Sequence, residues 1–173
     1  QSGVSSDWAY FDVWLQNTKL SSKLSECDMI IQFGSRLVSK WLTQWLKVQI
    51  AKRGAEYYYI SSSLACDNPI HRPQQHYLST PTDWVNANLA TIHSQSSVCA
   101  GWADSIKASV VQIPAIVKQT TELESLSEVS LAAMVAEGHP NSVLFLGNSL
   151  IVRLVDMFAA LDDVEVFSNR GAS

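Results

Sequence analysis

The sequence predicts an all-α fold: an antiparallel bundle of about four main helices plus a short N-terminal helix, forming a single helical domain over residues 1–173. Three observations predict it. Residues 142–161 read SVLFLGNSLIVRLVDMFAAL, and after Ser142 only Asn148, Ser149, Arg153 and Asp156 interrupt the hydrocarbon. A helix apolar nearly all round is central in a bundle, lipid-embedded or covered by a partner. Trp84, Val85, Ile92, Cys99, Trp102, Ile106, Val110 and Ile113 fall on one helical arc, and Leu37, Val38, Trp41, Trp45 and Val48 share another.

The first helix is expected over 7–20, capped by Ser6 or Asp7, with Trp8, Phe11, Trp14 and Leu15 at helical spacing as an aromatic lid. The second runs over 23–53 and stops at Gly54, which suits a left-handed C-terminal cap, while Gly34 is a place for a kink. Residues 55–81 form a long irregular segment with room for a small β-ribbon. Tyr57-Tyr58-Tyr59-Ile60 has strand character, 164–167 is one candidate partner, and Pro69, Pro73 and Pro81 forbid a helix between. Thr80-Pro81-Thr82-Asp83 opens the third helix, which reaches about residue 112 before Pro114. Ser125-Leu126-Ser127-Glu128 has capping-box spacing and opens a fourth that stops at Gly138. Asn141 then caps the apolar fifth helix, and the last residues form a loose tail.

Composition narrows the function classes. Charged residues make up 16% of the chain, against about 25% in ordinary soluble domains. With six tryptophans, that depletion predicts a surface covered by a partner or by further copies of the chain. A net charge of −4 argues against a generally basic nucleic-acid surface. Cys27, Cys66 and Cys99 lack paired spacing, so free thiols are expected rather than a disulfide framework. Arg153 and Asp156 inside the longest apolar run argue against a membrane span, and as an i, i+3 pair they are expected to satisfy one another. The chain begins at Gln1 rather than Met, which reads as a processed product or a trimmed piece. The sequence leaves its compartment unknown.

Candidate chemistry is sparse. Cys66, His71 and His76 are spaced C-x4-H-x4-H with Asp67 alongside, three of the four ligands that tetrahedral zinc requires. The same cysteine and histidines are the ingredients of a nucleophile with its base, although no local signature surrounds Cys66. No phosphate-cradling loop, nucleophile elbow or metalloprotease motif occurs, so the sequence calls for no cofactor and leans away from an enzyme. Arg36, Lys40 and Lys47, with Lys52 and Arg53 at the helix end, form a basic stripe that could track a phosphate backbone, beside tyrosines able to stack bases. Met29 and Phe33 are candidate interface residues on the basic side of the second helix.

The function expected from these features is a structural, self-assembling helical subunit, an oligomer or filament of coat or scaffold type that contacts nucleic acid through the basic helix face. The alternative is a small-ligand-binding or catalytic helical module whose pocket is covered by the 56–80 loop.

Overall fold

The computed structural model describes residues 8–34, 37–65, 68, 70–95, 101–123, 126–137, 142–147, 150–159, 161 and 164–169. In chain order these form α1 (Phe11–Trp14), α2 (Thr18–Leu24), β1 (Met29–Phe33) and α3 (Lys40–Val48), which continues into a π-helical turn (Gln49–Arg53). Then come β2 (Glu56–Ser61), β3 (Gln75–Leu78), α4 (Pro81–Gln95), α5 (Trp102–Val110) and α6 (Ile113–Leu123). The last elements are α7 (Glu128–Glu137), β4 (Val143–Leu146), α8 (Leu150–Phe158) and β5 (Glu165–Ser168). The expected all-α bundle is therefore wrong: the architecture is mixed α/β, with parallel strands in both sheets. The chain divides into two compact units, Thr18–Ser105 and a second made of Gln1–Asn17 with Ile106–Ser173.

In the Thr18–Ser105 unit the sheet order is β1-β2-β3, all parallel, with Ile30 opposite Tyr57 and Tyr59 opposite His76. The stretch read as one helix over 23–53 is interrupted by β1. Ile30 and Ile31 are β-branched, and their stiff side chains favour extended backbone. Gly34, at φ 83, ends the strand in a conformation that costs a glycine little. Ser39 starts α3 by accepting a 2.9 Å hydrogen bond from the Leu42 N–H, and Gly54, at φ 72, closes the π-helical turn.

Strand alternation turns Tyr57 and Tyr59 to one face, where both are buried. Tyr57 packs with Leu46 and Ile70, joined by Ile30, Leu42 and Trp45, so α3 covers that face. Its hydroxyl donates to the Gln32 side chain. The opposite face meets α4, where the Phe33 ring stands edge-on to Trp84 with centroids 5.6 Å apart. The 55–81 segment does hold two strands, but they extend β1 in parallel. Residues 165–168 pair with β4 and not with β2.

In the other unit, β4, α8 and β5 form a βαβ arrangement with Leu144 opposite Val166 and Phe145 opposite Phe167. The apolar run over 142–161 is thus a strand followed by a helix, divided at Gly147. A short apolar run ended by a turn residue suits a buried strand as well as a helix, and periodicity cannot separate the two. Ala132 of α7 and Val155 of α8 pack with Leu146, Ala159 and Leu161 into the core of this unit. The other face of the sheet stays wet: Val143, Phe145 and Phe167 are 63%, 62% and 46% exposed. Ser127 caps α7, accepting from the Ser130 N–H at 3.1 Å. Arg153 is exposed and makes no ion pair with the half-buried Asp156. No described helix is long and apolar enough to cross a membrane.

Burial, and after it the charge of buried Asp12 on neighbouring α1, raises the pKa of Asp156. The folded chain then holds this proton to higher pH than the unfolded chain does. Stability is complete below the ordinary carboxyl range and is lost as pH rises through it toward the raised value. Asp156→Asn should melt higher than the parent at pH 7 and level with it at acid pH; a lower melting point at pH 7 would refute this. Ile60, fully buried near the C-terminal end of β2, should cost about 2–5 kcal/mol as Ile60→Ala, read from the urea midpoint.

Candidate functional site

The Thr18–Ser105 unit carries a groove of about 630 Å³ between α4 and the sheet. Its existence follows from unequal cover. α3 lays a continuous apolar stripe on the Tyr57 and Tyr59 face. On the other face α4 makes close contact through Trp84, while none of its described side chains is buried. Ile31, Tyr58 and Tyr77 form the floor, with Met29 also on the strand side and Ile92 on the helix side. The Tyr58 and Tyr77 rings are 5.9 Å apart and tilted by 34°, which presents a nearly continuous aromatic surface.

The polar groups of the groove sit on α4 and the turn before it. Ser79, Asn88 and Thr91 line it, and Asp83 is the charged residue among the lining positions. Asp83 is held in place by Thr80, whose hydroxyl donates to its carboxylate at 2.7 Å and accepts from the Asp83 N–H at 3.1 Å. Outside the groove, the Tyr58 hydroxyl donates to the Glu56 carboxylate, which raises the tyrosine pKa. A second hollow, of about 500 Å³, lies where β2 and β3 begin and carries charges of both signs, Glu56 and Arg72.

The structure scatters the residues singled out by the sequence. Arg36 and Cys66 lie outside the described residues. Lys40, Lys47 and Lys52 are exposed along α3 and the π-helical turn. Arg53 is engaged, its Nη1 donating to the Ser25 carbonyl at 2.9 Å. Tyr57 and Tyr59 are core residues beneath α3 and do not stand beside the lysines. His71 is exposed with φ 50, and His76 lies on β3 against the Tyr59 ring at 5.0 Å. No group of three His, Cys, Asp or Glu side chains able to hold a metal occurs among the described residues. Met29 and Phe33 sit on β1 beneath α4, on a strand and not on a basic helix. The 56–80 segment supplies the floor of the groove through β2 and β3 and does not cover it as a loop.

Sequence reasoning missed a polar knot that fastens the end of the α3 helix. Ser25 is buried; its Oγ donates to the Ser21 carbonyl at 2.6 Å and accepts from Trp45 Nε1 at 3.0 Å. The buried Gln49 amide hydrogen-bonds the same oxygen at 2.7 Å. A serine 24 residues from its glutamine leaves no periodic signal in the sequence.

Comparison with known proteins supplies what geometry alone does not. A family model described as the middle domain of thiamine pyrophosphate matches residues 1–146. The 2-succinyl-5-enolpyruvyl-6-hydroxy-3-cyclohexene-1-carboxylate synthase of Vibrio parahaemolyticus is 44% identical over the whole chain. The synthases of the same name from Vibrio campbellii and Vibrio cholerae are 45% and 46% identical, again over the whole chain. The chain spans 31% of the length of the first two relatives and 30% of the third. These matches overturn the expectation of a self-assembling coat-like or scaffold subunit, while the alternative of a small-ligand-binding or catalytic helical module fails in its all-helical fold and in its loop-covered pocket. Low charge and apolar faces suggested assembly, but they equally mark a piece whose surfaces are covered inside a longer polypeptide.

Ser25→Ala should destabilise the Thr18–Ser105 unit by about 1–3 kcal/mol, because it strips buried partners from Trp45 and Gln49. The urea midpoint measures the loss, and an unchanged midpoint would show that the knot contributes nothing.

Proposed function

This chain belongs to the thiamine pyrophosphate enzyme middle-domain family, and on that premise we propose that it is the middle portion of a 2-succinyl-5-enolpyruvyl-6-hydroxy-3-cyclohexene-1-carboxylate synthase. The observation that carries this reading is the 44–46% identity to synthases of that name, sustained over the whole chain. The similarity continues past residue 146, where the middle-domain model stops.

Thiamine pyrophosphate stabilises carbanions, which suits a product named for a succinyl group joined to a ring carbon. The described residues do not fit that cofactor. A diphosphate with its divalent cation requires clustered oxygen ligands and cationic or N–H donors. The described residues offer no such metal-ligand cluster, and those that line the α4 groove include a carboxylate and no cation. On this reading the cofactor is held by parts of the enzyme outside this chain, which itself serves as a packed framework.

The test is to express the full-length protein containing this chain and, separately, the 173-residue chain. Each is assayed by mass spectrometry for cofactor-dependent formation of the named product. The full-length protein should form it and the chain alone should not. A full-length protein that binds the cofactor but makes no such product would overturn the assignment.

A further inference from the structure

We propose that the groove between α4 and the β1–β3 sheet is a binding site for a small ring-bearing molecule that is neutral or singly cationic, and that it rejects carboxylates. Its volume of about 630 Å³ falls within the 300–1,000 Å³ usual for small-ligand sites. The walls are aromatic and aliphatic: Tyr58 and Tyr77 below, Trp84 and Ile92 on the helix. Flat rings stack on such surfaces, and the faces of tyrosine and tryptophan attract cations. Met29 adds a flexible thioether that adapts to irregular ligands.

Charge selects the ligand class. Asp83 is the charged group among the described lining residues, and Thr80 fixes its carboxylate. An entering carboxylate would meet this negative charge with no cation among the described lining residues to offset it, and like charges brought together repel. A cationic amine would meet Asp83 and the ring faces together. The product named for the relatives is a carboxylate, so the groove and the synthase chemistry call for ligands of opposite charge preference.

The groove is also unfinished as packing. Parallel sheets are ordinarily covered on both faces, yet Met29, Tyr77 and Ile92 remain 47%, 41% and 45% exposed around it. A ring-sized ligand removes this apolar surface from water, which supplies a driving force that Asp83 then makes selective.

Three probes share one ring and differ in charge: tryptamine, indole and indole-3-acetate. Calorimetric titration of each into the 173-residue chain and into the full-length protein tests the proposal. Tryptamine should bind tightest and indole-3-acetate at least about tenfold more weakly. Asp83→Asn should bring the three within about threefold of one another, and Ala87→Trp, which fills the groove from α4, should weaken all three about tenfold or more. Should Ala87→Trp fail to fold by circular dichroism, Thr91→Phe fills the same space. Equal affinity for indole-3-acetate, binding unaffected by a folded filling variant, or no binding in the full-length protein would each overturn the proposal. The synthase assay reads separately, because product formation without probe binding, or the reverse, shows which of the two readings has failed.

Discussion

The central strand β2 is the constraint on which the Thr18–Ser105 unit depends. It is hydrogen-bonded to parallel neighbours on both sides, so neither of its faces can be left to solvent without cost. Tyr57 and Tyr59 commit one face to α3, and the chain meets that demand with Leu42, Trp45 and Leu46 at helical spacing. The polar knot at Ser25 then ties the far end of that helix to the segment leading into β1, through Trp45, Gln49 and Arg53. The bond to Gln49 satisfies a buried amide that packing would otherwise strand, whereas Arg53 is exposed and serves as a further tie.

The second face of β2 is treated less completely. α4 approaches through Trp84 and the Phe33 ring, but buries none of its own described side chains. The groove is the geometric remainder of that incomplete cover. Its charge bears on the division of labour inside the longer relatives. A groove whose described lining holds a fixed carboxylate and no cation is poorly suited to anchoring a diphosphate or a carboxylate substrate. The proposed framework role agrees with this.

Much of the helical content was legible in the sequence, because its signals are local. Thr80-Pro81 starts α4 and Gly54 stops the turn after α3, each through chemistry within five residues. The strands were not legible, because their cause is distant. Met29–Phe33 and Val143–Leu146 are short, largely apolar runs that acquire strand identity only by pairing with Glu56–Ser61 and with Glu165–Ser168 respectively. The arc from Trp84 to Ile113 looked like one helix, yet Gly101 at φ 83 separates α5 from what precedes it. Of the candidate site, Met29, Phe33 and Asp83 were visible as residues without their setting. Tyr58 and Tyr77 meet Trp84 only because β2, β3 and α4 are brought together in three dimensions.

The wet face of β4 and β5 bears on how faithfully this chain is handled before it is finished. Two parallel strands whose outer edges pair with no other described strand, carrying Val143, Phe145 and Phe167 outward, offer a template to any extended segment that passes. Truncated or partly proteolysed copies would expose that template, whereas in the three-stranded sheet the most hydrogen-bonded strand is enclosed.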